Sequence, residues 1–358
     1  MKRSPMKRFF KAIFIIVLII AIAFAGLIAF ISLTEYKPDK VERIRIYGNS
    51  SKGVKKGDSI KMMSWNIGYG ALGDNADFFM DGGNHVLTSS KNRVKKNIKS
   101  ISGEIRKQSP DITMIQEVDE DSRRSYHINQ VEKLGKAMDG SEYYYARNYK
   151  AAFVPYPIPP LGKMDSGIMT ISRLKANSAK RVSLPVSFTW PVRTVNLKRC
   201  LLISRTKVKG TGKELVYINL HLEAYDKGAG KKAQTRALNR ILKQEAAKGN
   251  YVIAAGDFNQ TFNNVDTNEY KVQKGLWKPG IIDVSEYDSS LNFVMDSTTP
   301  TCRSLDKPLK GANKLKFQYY VIDGMIYSSN IEMSYCKTMD LGFKNSDHNP
   351  VVAEIKLK

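Results

Sequence analysis

Six short stretches of this sequence set acid, amide or imidazole side chains at the ends of apolar, strand-like runs. They are Met63-Ser64-Trp65-Asn66, Ile115-Gln116-Glu117, Asn219-Leu220-His221, Gly256-Asp257-Phe258-Asn259, Ile322-Asp323-Gly324 and Ser346-Asp347-His348-Asn349. Taken singly, most have an ordinary explanation. Asn66 suits a turn, and Glu117 with Asp119, Glu120 and Asp121 behind it suits a solvated acidic loop. Asp257 and Asn259 beside Gly256 suit a turn, His348 a turn cap and His221 a core histidine. Asp323 within an apolar run is the exception, because a buried carboxylate needs a partner. Taken together, the six supply carboxylates, carboxamides and two imidazoles, with no thiol or serine nucleophile motif. Hard oxygen donors of this kind suit Mg2+ or Mn2+. Two histidines beside them can move protons or hydrogen-bond a phosphate. Arg199, in Leu197-Lys198-Arg199-Cys200, is a candidate for contacting an anionic substrate, with a plain charged strand mouth as the alternative.

These side chains need a scaffold of strand ends. Apolar, β-branched-rich runs predict strands over Ile60–Ile67, Ile112–Gln116, Gly167–Ile171, Leu201–Val208, Leu215–Leu222, Tyr251–Ala255, Tyr320–Tyr327 and Val351–Leu357. Helical spacing links Val94, Ile98, Ile101 and Ile105, then Ile128, Val131, Leu134 and Met138, then Leu238, Ile241 and Leu242. Many strands with few long helices point to an α/β sandwich, and no Gly-rich turn after the first strand supports a dinucleotide-binding fold.

The series MSWNIG, IQEVD, NLHLEA, AAGDFN, VIDGM and SDHNPV, in this order, resembles the endonuclease/exonuclease/phosphatase superfamily from about residue 59 to 357. The resemblance implies a four-layer sandwich of two facing mixed β-sheets flanked by helices. It also implies divalent-metal-dependent hydrolysis of phosphate ester bonds by in-line attack of water. By motif, Asn66 and Glu117 match metal-binding positions, and Asp347 matches an acidic residue close to the metal region. Asp257 matches the residue that orients or deprotonates water, and Asn259 a residue contacting the scissile phosphate. His348 matches the histidine that contacts the phosphate and shifts protons, and Asp323 the carboxylate that orients it. His221 resembles the second histidine of the deoxyribonuclease, sphingomyelinase and 5-phosphatase branches, and abasic-site endonucleases lack it.

The rest of the chain bears on location and substrate. Residues 1–11 form a basic tail with five of the cations in a formal net charge of +23. Ala12–Leu33 carries no charged residue, and 22 residues at ~1.5 Å rise reach roughly 33 Å, enough to cross a bilayer core. The basic tail favours a single-pass cell-membrane anchor with an extracytoplasmic domain, against which Lys37, Lys40, Arg43 and Arg45 weigh. A signal peptide cleaved near Ala23-Phe24-Ala25 is the competing reading. Residues 34–58 read as a linker, in which the short run Ile44, Ile46 and Tyr47 could form an edge strand, and 59–358 as the catalytic domain. The excess of positive charge favours nucleic acid as the phosphodiester substrate. The proline- and aromatic-rich segments Ala151–Leu161 and Leu184–Val195 keep a lipid headgroup open, and an inactive surface-binding module is the alternative of another class. No protein partner can be inferred. The three cysteines, Cys200, Cys302 and Cys336, have no metal-ligand spacing, and Cys302 and Cys336 are a candidate pair outside the cytoplasm.

Overall fold

A computed structural model describes residues 5–136, 138–226 and 228–358; Lys2 and Arg3 of the basic tail lie outside the described residues. Two mixed sheets face each other. The first orders its seven strands as Ile331–Thr338, Val351–Leu357, Ser59–Asn66, Ile112–Asp119, Gly162–Ser172, Glu142–Val154 and Tyr47–Gly48. The second runs Val41–Arg43, Ser178–Ser183, Cys200–Lys209, Lys213–His221, Tyr251–Asp257, Asp323–Ser328 and Leu291–Val294, and Val54–Lys55 also pairs with Cys200–Lys209. Each sheet has one parallel pair near its centre: Ser59–Asn66 with Ile112–Asp119, and Lys213–His221 with Tyr251–Asp257. The remaining main strand pairs of the two sheets are antiparallel, apart from the short Val54–Lys55.

Alternation along the strands builds the layers. Ile60 and Met62 of the first strand point between the sheets, with Ile112, Met114, Ile168, Leu202, Leu215, Ile253 and Met325. Met63 and Trp65 point the other way, onto helix Lys91–Gln108, whose Val94, Ile98, Ile101 and Ile105 form its buried face. The Ser90 hydroxyl caps this helix by accepting from Arg93 N–H at 3.3 Å, and Arg106 and Lys107 sit in its last turn, where cations favour the helix dipole. On the outer face of the second sheet, Leu238 and Leu242 of helix Ala229–Ala247 pack on Val216, Ile218, Val252 and Ala254. Full burial of each such leucine is worth roughly 1.5–3 kcal/mol. The result is the expected four-layer arrangement of two mixed sheets flanked by helices.

Polar contacts also join the sheets. Tyr144 and Tyr217 share a hydrogen bond between hydroxyls at 2.7 Å. Beneath the strand ends, Gln116 Nε2 donates to Asn219 Oδ1 at 2.8 Å, and Asn219 Nδ2 donates to the carbonyls of Ile115 and Met169 at 3.2 and 2.8 Å. Both residues are fully buried.

Several local expectations shift. The run Tyr320–Tyr327 breaks into Tyr319–Tyr320 and Asp323–Ser328, so Asp323 opens a strand instead of lying inside one. The helix around Val131 shortens to Gln130–Lys136, leaving Ile128 and Met138 as buried flanks. Strand Glu142–Val154 is long, yet its polar, half-buried alternation gives no apolar run to read. Residues 34–58 are not slack: Val41–Arg43, Tyr47–Gly48 and Val54–Lys55 each join a sheet, and Ile44 and Ile46 pack on the inter-sheet core. Cys302 and Cys336 are both free thiols. The N-terminal helix runs over Pro5–Leu33. It is long and apolar enough to cross a membrane, and the side chains from Phe9 to Phe24 are exposed.

Removing the Asn219 carboxamide would leave Gln116 Nε2 only its longer contacts, to Ser64 Oγ at 3.3 Å and the Met114 carbonyl at 3.4 Å, and would take a donor from the Ile115 and Met169 carbonyls in a dry interior. A buried polar group without a good partner costs about 1–3 kcal/mol. Asn219→Ala is therefore expected to destabilise the fold by at least about 2 kcal/mol, read as a lowered urea midpoint with little change in slope. An unchanged midpoint would mean that water replaces the lost contacts.

Candidate active site

The site forms where the strands of both sheets end. His221, Asp257 and Asp323 lie side by side: His221 is in register with Asp257 across the parallel pair, and Asp257 with Asp323 across the antiparallel one. Asn66 is in register with Gln116 on the facing sheet. A bulge explains how Gln116-Glu117 serves two purposes. The pairing of Ile112–Asp119 with Gly162–Ser172 shifts between Ile115 and Val118, so two residues stand opposite one. Gln116 turns inward to Asn219, and Glu117, at φ 55°, turns into the cleft. A left-handed glutamate is uncommon and costs of order 1–3 kcal/mol, which the surrounding sheet must hold.

Two glycines allow the close approach. A Cβ on Gly256 would meet the Leu220 carbonyl oxygen at 2.0 Å, so any side chain there would force apart the strands carrying His221 and Asp257. A Cβ on Gly68, at φ 49°, would meet Asp347 Oδ1 at 2.7 Å.

Hydrogen bonds tie the cluster together. His348 Nδ1 lies 2.8 Å from Asp323 Oδ2, and its Nε2 lies 3.7 Å from Asp257 Oδ2. His221 Nε2 is 3.5 Å from the same Asp257 oxygen. Asn66 Nδ2 faces Asp257 Oδ2 at 3.0 Å and Glu117 Oε1 at 3.3 Å, while its Oδ1 accepts from Gly68 N–H at 3.0 Å. Asn66 thus meets the carboxylates with its NH2 group, a different part from the oxygen ligand expected of it. The Asn259 N–H donates to Asp257 Oδ1 at 2.8 Å, and Asn259 Nδ2 to the Leu222 carbonyl at 2.9 Å. Ser346 Oγ holds the Asn66 carbonyl at 2.8 Å, which fixes Asp347-His348 against the first strand. Arg199 is buried in the cleft wall, donating to the His221 carbonyl at 3.1 Å and lying 3.5 Å from Glu223. An anionic substrate would have to share it with that carboxylate.

Burial and crowding set the protonation states. Burial and then Asp347 push the Glu117 carboxyl up, and burial does the same to Asp347. Burial and the neighbouring Asp323 raise Asp257 to about 7. Burial disfavours charge on His348, but Asp323 outweighs it and holds the imidazolium well above the usual histidine range. Burial and then the Arg199 charge hold His221 well below it. Two groups of metal-capable atoms arise, Asp257 with Asp323 and His348, and Cys302 with Asp347 and His348. Burial pushes the Cys302 thiol up to about 12. His348 belongs to both groups and Glu117 to neither; the carboxylates of Asp257, Asp323 and Asp347 are the hard oxygen donors in them, and such donors suit a divalent ion such as Mg2+.

The cleft also holds groups that motif reading passes over. Asp81 accepts from the Tyr225 hydroxyl at 3.1 Å, and burial followed by Asp347 lifts its carboxyl to about 7. Arg124 is paired with Asp119 at 2.9 Å and stacks 3.6 Å over the Tyr69 ring. Arg124 follows the acidic run after Glu117, and that proximity was the one available signal; Asp81 ends the short 3-10 turn Phe79–Asp81, which carries none.

The chain has four histidines, so their ring resonances can be assigned by substitution. In the metal-free protein His348 is expected to titrate well above the ordinary histidine range, and His221 well below it. Asp323→Asn should return His348 towards the ordinary range, near 6.5. A His348 that titrates normally in the unsubstituted protein would contradict this electrostatic account.

Comparison with known proteins agrees with the two-sheet fold. Residues 63–308 match the model of the Endonuclease/Exonuclease/phosphatase family. An endonuclease/exonuclease/phosphatase from Beutenbergia cavernae DSM 12333 is similar with a TM-score of 0.54 at 17% identity, over 84% of this chain and 72% of that one. A second, from Bacteroides vulgatus, gives 0.51 at 14%, over 84% and 100%. Humanized D. rerio TDP2 gives 0.50 at 14%, over 83% and 99%. At such identities the likeness is one of fold. No curated protein matches the sequence. The family match over most of the chain and the two-sheet fold lead to one conclusion: this chain belongs to the endonuclease/exonuclease/phosphatase family.

Proposed function

We propose that the protein is a membrane-anchored phosphodiesterase using Mg2+ or Mn2+, with Glu117 and Asp347 as cation ligands and Asn66 bridging Glu117 to Asp257. The observation that carries this reading is the alignment of His221, Asp257 and Asp323 on three neighbouring strands, with His348 held by Asp323 at 2.8 Å and Glu117 and Asp347 in the same cleft. When bound, the cation supplies positive charge to a non-bridging phosphate oxygen. The protein's own groups do the proton work. Asp257, raised to about 7, is a base matched to neutral pH and takes a proton from the attacking water. Protonated His348 donates to a phosphate or leaving-group oxygen from Nε2, with Asp323 fixing the orientation of its ring. Neutral His221 positions the phosphate beside Asp257, and Asn259 lines the same cleft, its NH2 group held by the Leu222 carbonyl.

The anchor reading rests on helix Pro5–Leu33, whose apolar surface has no cover for most of its length. The basic tail before it supports an extracytoplasmic domain. Nucleic acid is the second reading of the substrate, favoured by the net charge of +23.

Chelation is expected to abolish hydrolysis of bis(p-nitrophenyl) phosphate, and Mg2+ or Mn2+ to restore it; Glu117→Gln should lose most activity while keeping its circular dichroism. Full turnover in excess chelator would remove the metal from the mechanism. Asp257→Ala, His348→Ala and His221→Ala should each cost at least ~10²-fold in kcat. A near-normal His221→Ala beside a dead His348→Ala would make His221 a core residue. For topology, external protease should digest the domain on intact cells, whereas protection until lysis would reverse the orientation.

A further inference from the structure

We propose that the active-site cleft takes the hydrocarbon part of a membrane lipid, so that the phosphodiester cut is one carried on a lipid of the bilayer holding the chain. This rests on the phosphodiesterase reading above and names its substrate class.

The first observation is the lining. A cavity of about 440 Å³ runs from Glu117, His221, Asp257 and His348 to a wall that includes Tyr149, Val154, Leu161, Met164, Val195 and Leu197. Among the described residues no lysine lines it, although the chain is rich in them. Its cations are few and tied to the wall: Arg124 to Asp119, Arg199 to the His221 carbonyl with Glu223 at 3.5 Å, Arg303 to the carbonyls of Gly73, Ala76 and Ser304, and His348 to Asp323. A polyanion gains its affinity from many free cations along its path, and this wall holds no such row of them. A hydrocarbon chain gains from apolar area removed from water, which the wall does offer.

The second observation is where the cavity opens. Phe188, Val192 and Tyr156 line it and belong to the two proline-rich segments. On the same segments Ile158 is 95% exposed and Trp190 56%. The Trp190 indole N–H donates to the Ser32 hydroxyl at 3.0 Å, in the last turn of the apolar helix. Just past that helix, Glu35 lies 2.9 Å from Lys198 and 3.5 Å from Arg193. The mouth is thereby fixed at the end of the membrane segment, where headgroups meet hydrocarbon and where tryptophan and tyrosine settle. Exposed aliphatic side chains around an apolar opening mark a surface that meets something other than water.

The reaction is hydrolysis. Water's oxygen bonds to phosphorus as the bond from phosphorus to one of its two alcohols breaks. That alcohol leaves with a proton, and the other stays as a phosphate monoester, so no further reactant is needed.

The test uses the full chain in vesicles of phosphatidylglycerol, phosphatidylcholine, phosphatidylethanolamine and cardiolipin with Mg2+, followed by phosphorus NMR. Parallel arms use bis(p-nitrophenyl) phosphate and supercoiled plasmid. The expected result is loss of at least one lipid phosphodiester signal and growth of a monoester signal. Phe188→Asp and Val192→Asp should each lower the ratio of vesicle turnover to bis(p-nitrophenyl) phosphate turnover at least ~10-fold. Val195→Trp, which narrows the cavity, should shift preference towards short-chain lipid. If bis(p-nitrophenyl) phosphate is cleaved and no lipid signal changes, the lipid proposal is overturned while the phosphodiesterase reading stands; plasmid nicking would then assign nucleic acid. A lipid signal lost with all three variants keeping the original ratio and chain preference would overturn the role of the cavity. Failure on all three substrates would sink the phosphodiesterase reading itself.

Discussion

The arrangement depends on how the two sheets are locked in register by Gln116 and Asn219. Each residue is fully buried, and each sits next to chemistry: Gln116 precedes Glu117, and Asn219 lies two residues before His221. A hydrophobic pair at these positions would allow the sheets to slide, since apolar contact is non-directional. A carboxamide pair has one geometry, because any slip strands its donors and acceptors in a dry interior. Glu117 on one sheet therefore meets Asp257 and His221 on the other at a fixed separation. The bulge at Gln116-Glu117 makes this possible by turning one side chain to the lock and the next to the cleft.

Above the lock, the protein concentrates like charge. Glu117, Asp347, Asp257 and Asp81 are all driven towards protonation by burial, and all but Asp347 by a neighbouring carboxylate as well. Folding alone does not favour such a cluster. The strained backbone of Glu117 and the tight approaches at Gly68 and Gly256 add to its cost. Sites that hold like charges close together, away from water, are suited to binding a charge of opposite sign, and the family's chemistry supplies one. His348 differs: its partner Asp323 is single and direct, so it carries its own compensation.

Much of this was legible in the sequence because the informative residues sit at strand ends. An apolar run followed by Asp-Phe-Asn or Asp-His-Asn reads as a strand delivering polar groups to an edge, and Asp257, Asn259, Asp347 and His348 do reach one cleft. Asp323 stood out by its costly placement, and its partner is His348. Other features depend on three-dimensional contact and left no local trace. Strand Glu142–Val154 shows polar alternation in place of an apolar run, because its inward residues include Glu142, Tyr144 and Asn148. The orientation of the Asn66 amide is set by Gly68, two residues away, through a backbone N–H that no motif records. Asp81 enters the cleft from the three-residue 3-10 turn Phe79–Asp81, too short to show periodicity, and is held by Tyr225 from elsewhere in the chain. Residues 34–58 looked polar enough for a tether, yet short edge strands need only a few backbone hydrogen bonds and the apolar pair Ile44 and Ile46 to dock.

That docking changes what kind of catalyst the molecule can be. A free flexible connector of 25 residues would let its domain wander on the order of 25–30 Å from the anchor. Here three short strands, the Glu35 clamp and the Trp190 contact remove that freedom, and the cleft keeps one attitude to the helix end. With the helix in a bilayer and the substrate a lipid of that bilayer, as proposed, the search for substrate would be two-dimensional. Turnover would then follow the substrate's mole fraction in the surrounding leaflet, and diluting the surface with inert lipid would slow it even when the bulk amount of substrate is held constant.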